Sequence, residues 1–292
     1  MRIVVFGAGS LGSLVGGILA REHRVTLVGR DPHIEAIGES GLTLDGAFDF
    51  TTYPDARTTV PESADLALVT VKAFDTDEAA RALAATDPEL TCSLQNGLGN
   101  EEILEERLDT VLAGTCTYGA RLDGPGRVRC TDGEITLGAP DGGSSAAAER
   151  VGKAFQTAGI ETTVSNRMPD EQWRKLAVNA GINPTTALAG VENGALRNGP
   201  LAGVAREATR ETARTAREQG IDLAEREAVE TLESVVEKTA ENTSSMAADV
   251  AAGKKTEIDA INGAVVDRAE NPVPINRTLA ALVRGATGDQ SM

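Results

Sequence analysis

The sequence predicts an α/β fold in which an open parallel sheet is followed by a helical C-terminal region. Two observations predict it. A short, wholly apolar run at residues 3–6 is typical of a parallel strand that is covered on both faces, and further short, largely apolar runs follow at 66–71, 91–94 and 111–115. From residue 168 to about residue 270, Ala, Glu and Arg dominate and strand patterns nearly vanish, which predicts helices.

The domain boundary is expected where Asn166 and Pro169 interrupt the pattern, which gives one domain over 1–166 and a second over 167–292. Between them, residues 121–143 contain three Asp-Gly pairs around two short strand-like runs. These runs, at 127–130 and 134–137, predict a hairpin or an antiparallel extension. In the second domain, two acid-rich helices over 205–218 and 223–237 are expected to face solvent, with subunit contacts as the alternative.

The charge of the chain excludes several classes of protein. With 44 Asp and Glu against 28 Lys and Arg, the formal net charge is −16. Such a surface repels phosphate backbones and anionic lipids, so we expect no nucleic-acid partner and no membrane partner. The acid excess also suggests a protein adapted to a salty cytoplasm, where self-repulsion is screened. Residues 3–20 are apolar enough to imitate a spanning helix, but five glycines in this segment argue against one.

Cysteine and histidine usage narrows the chemistry further. Cys92, Cys116 and Cys130 are odd in number and lack a C-x-x-C spacing, so they are interpreted as reduced thiols of a cytoplasmic protein. The two histidines, His23 and His33, both lie near the N-terminus. The rest of the chain therefore has no histidine for a Ser-His-Asp triad or a His-based zinc site, and we predict no metal site.

A glycine motif follows the first predicted strand. Residues 7–12 read Gly-Ala-Gly-Ser-Leu-Gly, and apolar residues then recur at helical spacing. Glycines in a strand–turn–helix unit let the backbone approach a pyrophosphate, whose charge is met by the free N–H groups of the helix N-terminus. A tight turn without a ligand is the alternative. The next strand, at 24–28, completes a βαβ unit of the expected length.

The end of the second strand bears on which dinucleotide is preferred. Sites that prefer NAD usually place an acidic residue there, whereas this chain has Arg30 followed by Asp31. The guanidinium of Arg30 is suited to the 2′-phosphate of NADP, while an Asp31 carboxylate turned into the pocket would oppose it. We therefore expect NADP, with NADPH preferred and NADH possible.

The segment 173–184 carries a polar row. Lys175, Asn179 and Asn183 are spaced by four residues, which places a cation and two amides on one helix face. A solvated helix face is the ordinary interpretation of such residues, but the apolar neighbours predict a buried helix. Pro184 is expected to disturb or end this helix just after Asn183. Two further polar clusters follow at 241–246 and 256–263; in the second, Ile258 and Ile261 are expected to face a core.

Together these motifs resemble the ketopantoate reductase family, which reduces 2-dehydropantoate in pantothenate and coenzyme A synthesis. The resemblance spans nearly the whole chain in order and rests on the glycine motif and six further segments, at 71–73, 95–97, 173–184, 192–194, 242–246 and 256–263. It implies a Rossmann-like, doubly wound parallel sheet followed by an all-α C-terminal domain. It also implies an NADPH-dependent enzyme acting on a small 2-keto acid in the cleft between the domains.

The resemblance assigns roles to individual residues. Lys175 would be the general acid, with Glu257 beside it in the catalytic set. Residues implied to hold the substrate are Asn179, Asn183, Asn193, Asn242 and Ser245. Residues implied to lie along the cofactor are Gly7, Gly9, Ser10, Leu11, Gly12, Arg30, Lys72, Asn96 and Ala120. A lowered pKa would suit Lys175 as acid, whereas a nearby Glu257 would keep it charged; the sequence leaves this balance open.

Three alternatives remain at this stage. A related enzyme on the same scaffold would reduce a different 2-keto acid, since fold and motif do not fix the substrate. A sensor would bind NADP without catalysis, although this chain keeps Lys175 and Glu257. An acidic structural protein would not bind NADPH at all. The sequence also leaves a homodimer open.

Overall fold

The computed structural model describes residues 1–288 and confirms the predicted α/β class. Chain contacts divide it into two compact units, one of Met1–Gln95 with Asn100–Met168 and the other of Asn96–Gly99 with the chain from Pro169 onward. The boundary at 166/167 remains a prediction. The strands are β1 Arg2–Phe6, β2 Arg24–Val28, β3 Leu42–Gly46, β4 Phe50–Thr52, β5 Asp55–Arg57, β6 Leu66–Val69, β7 Leu90–Ser93, β8 Val111–Cys116, β9 Ala120–Gly124, β10 Arg127–Cys130, β11 Ile135–Gly138 and β12 Thr162–Val164.

The helices divide between the two units. In the first they are α1 Ser10–Leu19, α2 His33–Ser40, α3 Thr76–Ala84, α4 Asn100–Glu105 and α5 Ala146–Ala158. In the second they are α6 Met168–Ala189, α7 Pro200–Glu218, α8 Glu225–Lys238, α9 Ser245–Ala251, α10 Ala264–Arg268 and α11 Pro274–Thr287, with a π-helical turn at Asp259–Gly263. The described part of the second unit contains no strand, as the sequence predicted.

The larger sheet of the first unit has eight strands in the order β12-β11-β8-β7-β6-β1-β2-β5. All neighbours run parallel except β8 and β11. The chain starts at β1, moves outward to β2 and β5, and returns to β6 on the other side of β1. The strand order therefore reverses between β1 and β6, and ligands of open α/β sheets bind at the carboxyl ends of strands at such a point.

The hairpin or antiparallel extension predicted over 121–143 is confirmed, since β9 and β10 form a hairpin and β11 runs antiparallel to β8, but the runs at 127–130 and 134–137 do not pair with each other. Strand β10 instead pairs antiparallel with β9 and parallel with β3 in a separate four-stranded sheet, ordered β4-β3-β10-β9. Strand β11 belongs to the large sheet, antiparallel to β8. Between them the chain crosses from one sheet to the other, fixed by the Glu134 N–H donating to Thr117 Oγ1 at 2.9 Å. The Asp132-Gly133 pair marks this crossing and not a hairpin turn.

His33 joins three elements of the first unit. Its Nδ1 accepts from the Gly126 N–H at 3.0 Å, in the turn between β9 and β10. Because Nδ1 accepts, the proton of the neutral ring lies on Nε2, which is 2.8 Å from Ser13 Oγ on α1. The residue is 8% exposed, and burial lowers its pKa. No sequence signal pointed to this role.

Stability should therefore fall in mild acid. The folded-state pKa of His33 lies below its ordinary value of 6.5. The unfolded chain then binds a proton that the folded chain does not, so stability is retained above pH 6.5 and lost as the pH falls below it. Thermal unfolding followed against pH should show this loss in the wild type and a shallower loss in His33→Gln. Equal slopes in the two proteins would contradict the assignment.

The long helix α6 runs through Pro184, so the predicted end of the helix after Asn183 is wrong. A proline inside a helix has no N–H for the carbonyl four residues earlier, which here is that of Ala180. That carbonyl accepts instead from the side-chain Nδ2 of Asn262 at 3.1 Å. The helix continues because a side chain from another element supplies the missing donor.

One acidic residue of α7 corrects the expectation that this helix faces solvent. Glu211 is 1% exposed, and its carboxylate lies at the N-terminus of α11. It accepts from the backbone N–H groups of Ile275 and Asn276, at 2.9 and 2.8 Å, and from Asn276 Nδ2 at 2.9 Å. A charge placed against the free N–H groups of a helix start is stabilised there. Among residues 1–288, none of the helices combines the length and apolarity that crossing a bilayer requires.

Candidate active site

The glycine turn of the first unit lies at the point where the strand order reverses. Gly7 follows β1 with a φ of +110°, a conformation that favours glycine. A Cβ on Gly12 would come within 2.2 Å of the Gly7 carbonyl oxygen and 2.5 Å of Thr70 Oγ1. Thr70 Oγ1 itself donates to the Gly7 carbonyl oxygen at 2.9 Å. The first and third glycines are therefore required by the packing of the turn.

Gly9 has a different role. Its φ of −85° is open to any residue, and a Cβ there would find its nearest protein atom 4.0 Å away. The space above Gly9 is thus free for a ligand. The first N–H groups of α1, at Ser10, Leu11 and Gly12, have no acceptor within the helix, and no acidic side chain lies in that first turn. The turn fits an anionic group such as a pyrophosphate.

The end of β2 resolves the question raised by Asp31. Its Oδ1 accepts from the Glu35 N–H at 3.2 Å, in the first turn of α2, so this carboxylate is already bound by its own helix. Arg30 is exposed, and among residues 1–288 no carboxylate pairs with it. The guanidinium thus remains available for a phosphate.

The other cofactor candidates take separate positions. Lys72 directly precedes the short 3-10 turn Ala73–Asp75 that follows β6. Ala120 begins β9 and pairs with Cys130 on β10. The Oγ of Ser10 accepts from the Leu122 N–H at 3.3 Å, which ties α1 to the same strand β9. Each of these residues belongs to the first unit.

The polar row of the second unit lies on α6 as the spacing predicted. Lys175 and Asn179 are half-buried, and Asn183 is 5% exposed. The side chains of Asn179 and Asn183 have no hydrogen-bond partner among residues 1–288. Buried amides normally find partners, so this face presents donors and acceptors that a ligand can satisfy.

Asn96 lies in the second unit, beside Glu257. Its Nδ2 is 3.4 Å from Glu257 Oε2. The segment Asn96–Gly99 is held by the Leu98 N–H, which donates to the Ala260 carbonyl at 3.1 Å. Gly97 has a φ of +88°, and a Cβ there would come within 2.4 Å of the same carbonyl oxygen. The motif at 95–97 thus needs its glycine to bring Asn96 to Glu257, a pairing that sequence spacing did not reveal.

The remaining substrate candidates surround the start of α9. Asn193 is 6% exposed, and its Nδ2 donates to Thr239 Oγ1 at 2.9 Å. Its Oδ1 is buried without a partner among the described residues. The Asn193 N–H donates to the Asn242 carbonyl at 3.0 Å. Ser245 begins α9 and is exposed, whereas the buried Ser244 caps that helix by accepting from the Ala247 N–H at 3.1 Å.

Within residues 1–288, no group of three or more His, Cys, Asp or Glu side chains is placed to hold a metal ion. The three cysteines are buried, and they form no disulfide among the described residues. Burial raises the pKa of the Cys92 thiol, so this group stays protonated at neutral pH.

The first unit has the parallel sheet, glycine turn and strand-order reversal that define dinucleotide-binding α/β proteins. The sequence matches "Ketopantoate reductase PanE/ApbA" over residues 3–142 and its C-terminal counterpart, "Ketopantoate reductase PanE/ApbA C terminal", over residues 167–287. The chain belongs to the ketopantoate reductase family.

Individual relatives agree with this membership. A protein of Halobacterium salinarum named 2-dehydropantoate 2-reductase is 45% identical, and the alignment covers 99% of this chain and all of the relative. A solved PanE/ApbA family ketopantoate reductase from Ralstonia eutropha JMP134 is 31% identical with a TM-score of 0.88, covering 99% of both chains. A solved D-mandelate dehydrogenase with NADH and anilino(oxo)acetate is 25% identical with a TM-score of 0.92, covering 99% of this chain and 98% of that one.

Proposed function

We propose that this chain is an NADPH-dependent 2-dehydropantoate 2-reductase, which reduces ketopantoate to pantoate. The polar row on α6 is the main support for this proposal. It places a cation and two amides that have no hydrogen-bond partner among residues 1–288 on one partly buried face, which suits a small keto acid with a carboxylate. The matches of the ketopantoate reductase family to both parts of the chain support it. The three cysteines, which form no disulfide among the described residues, fit a cytoplasmic location.

In this proposal, the first unit holds the cofactor. The N–H groups at the start of α1 would bind the pyrophosphate, and Arg30 would bind the 2′-phosphate. The other cofactor candidates are Leu11, Lys72 and Ala120 in this unit and Asn96, which belongs to the second unit. When bound, the dihydronicotinamide supplies a hydride from its C4 atom to the keto carbon.

The second unit would hold the keto acid and supply the proton. Negative charge develops on the keto oxygen as the carbon is reduced, and the Lys175 ammonium would stabilise that charge and donate the proton. The Glu257 carboxylate would orient the ammonium and the substrate hydroxyl. The donors of Asn179, Asn183, Asn242 and Ser245 would fix the rest of the substrate. Asn193 would offer its Oδ1, which lacks a donor among the described residues.

Cofactor choice can be tested at Arg30. The Arg30→Ala variant should lower kcat/KM with NADPH by about 10- to 100-fold, because a charge-assisted bond to phosphate is lost, and leave kcat/KM with NADH nearly unchanged. Arg24 provides a matched control, since it is an exposed arginine at the opposite end of the same strand β2. Arg24→Ala should behave like the wild type. An unchanged preference for NADPH in Arg30→Ala would remove Arg30 from this role.

A second candidate function is the reduction of another 2-keto acid. The solved D-mandelate dehydrogenase favours it, because that protein shares the fold at a TM-score of 0.92. Comparison of kcat/KM for ketopantoate and for phenylglyoxylate separates the two candidates, and we expect ketopantoate to be the better substrate. A homodimer remains a prediction, which light scattering coupled to size-exclusion chromatography can check.

A further inference from the structure

A buried polar network connects four elements of the second unit. Asn262 and Asn276 are both 0% exposed, and Glu211 is 1% exposed. Asn262 lies in the π-helical turn Asp259–Gly263, Asn276 on α11 and Glu211 on α7. Burial of so many polar groups is costly unless each finds a partner, so the contacts they make indicate what the network supports.

Asn262 uses both protons of its amide. One is donated to the Ala180 carbonyl of α6 at 3.1 Å and the other to Asn276 Oδ1 at 2.9 Å. The Ala180 carbonyl lacks the usual helical donor four residues later, because Pro184 has no N–H. Ala180 lies directly after Asn179 and between Lys175 and Asn183 in the polar row. Asn262 therefore supplies the hydrogen bond that α6 lacks within the stretch that carries the polar row.

The partner of Asn262 is itself fixed. Asn276 Nδ2 donates to the Ala208 carbonyl at 3.0 Å and to Glu211 Oε2 at 2.9 Å, which prevents rotation of the amide. The Glu211 carboxylate is held by the backbone N–H groups of Ile275 and Asn276. A side chain oriented by neighbours that are themselves fixed supports a site with little freedom of movement.

Glu257 lies two residues before the start of the same turn. The Ile261 N–H, one residue before Asn262, donates to the Glu257 carbonyl at 3.1 Å. Asn262 therefore connects α6, which carries Lys175, with the turn that follows Glu257. Displacement by about 1 Å within such a site costs up to about 100-fold in rate, because reacting groups must meet in a narrow range of geometries.

Resting on the proposed function, we propose that Asn262 is a positioning residue: by satisfying the carbonyl that Pro184 leaves without a donor, it holds Lys175 and Asn183 in register with Glu257 for proton transfer. Asn262 acts through α6 and needs no contact with substrate or cofactor. Its role depends on Pro184, and that dependence makes it testable.

The experiment is a double-mutant cycle of Asn262→Leu and Pro184→Ala. Asn262→Leu should lower kcat by about 10- to 100-fold with the KM for NADPH unchanged. Alanine at 184 restores an N–H for the Ala180 carbonyl, so the double variant should recover kcat to within about threefold of Pro184→Ala alone. Hydrogen exchange of the amides at 181–189 should rise in Asn262→Leu and return towards that of Pro184→Ala in the double variant.

A buried threonine provides the matched control. Thr86 is 2% exposed, and its Oγ1 donates to the Pro61 carbonyl in the first unit at 2.9 Å. Thr86→Val should lower the melting temperature without changing kcat or exchange in α6. The proposal is overturned if Asn262→Leu keeps kcat within about twofold of the wild type, or if the double variant loses as much as Asn262→Leu.

Misfolding of Asn262→Leu and failure of the proposed function can each be distinguished from failure of the proposal. If Asn262→Leu does not fold, the double variant decides: a folded enzyme within about threefold of Pro184→Ala supports the proposal, and a misfolded or inactive one overturns it. Failure of the proposed function is recognised independently, because the wild type would then show no ketopantoate turnover. Hydrogen exchange tests the support of α6 by Asn262 without any turnover.

Discussion

Replacement of Lys175 by alanine is expected to lower kcat by about 10²- to 10⁴-fold, the range typical for loss of a positioned general acid. The effect should be large because the chain has histidines only at 23 and 33, both in the first unit, so no histidine of the second unit can replace the ammonium. NADPH binding should change little, since Lys175 belongs to the second unit and the glycine turn to the first. Steady-state kinetics and a fluorescence titration with NADPH measure the two effects.

Arg174 is the matched control for Lys175, since it is the preceding cation on the same helix. Its guanidinium is paired with Glu227 at 2.7 Å and Glu171 at 3.3 Å, so it is already engaged on another face. Arg174→Ala should keep kcat near that of the wild type. Near-normal turnover by Lys175→Ala would exclude Lys175 as the acid.

Substitutions in the glycine turn are expected to give the second large effect. They separate an effect on folding from an effect on NADPH binding. Gly12→Ala should lower both the melting temperature and the affinity for NADPH, because its Cβ would overlap the Gly7 carbonyl oxygen at 2.2 Å. Gly9→Ala should leave the melting temperature unchanged, since its Cβ would meet no protein atom closer than 4.0 Å. It should nevertheless weaken NADPH binding by at least about tenfold, because the backbone approaches the pyrophosphate at this position.

Gly38 provides the control for these variants. It lies on α2, and a Cβ there would have no neighbour within 4 Å. Gly38→Ala should keep the wild-type affinity for NADPH and raise the melting temperature slightly, because alanine is favoured over glycine within a helix; calorimetry and fluorescence titration can record both in parallel. Wild-type affinity for NADPH in Gly9→Ala would mean that the cofactor does not approach this turn.

Much of the fold could be predicted from local pattern. The predicted strand at 24–28 coincides with β2, and the run at 127–130 coincides with β10. Such strands can be predicted because their apolar residues and the polar or glycine residues that bound them are neighbours in the sequence. Pairing was harder. An Asp-Gly pair is typical of hairpin turns, but it does not reveal that the chain passes from β10 in one sheet to β11 in the other.

The candidate site was likewise predictable where its pattern is local in sequence and unpredictable where distant residues meet. The spacing of Lys175, Asn179 and Asn183 predicted their common face, since helical periodicity is local. The contact of Asn96 with Glu257 spans 161 residues, and no local pattern reveals it. The continuation of α6 through Pro184 was mispredicted because its support, Asn262, lies 82 residues from Ala180. Glu211 was expected in solvent because an acidic side chain in a helix usually is, and its burial depends on the distant start of α11.

The central claim is that this chain reduces ketopantoate with NADPH through Lys175. The most direct test follows the near-ultraviolet absorbance of NADPH with the purified protein at low and high potassium chloride, with and without ketopantoate, and identifies the product. We expect NADPH oxidation that requires ketopantoate, forms pantoate in equal amount and is nearly lost in Lys175→Ala. NADPH that binds but is not oxidised on addition of ketopantoate at either salt concentration would contradict it.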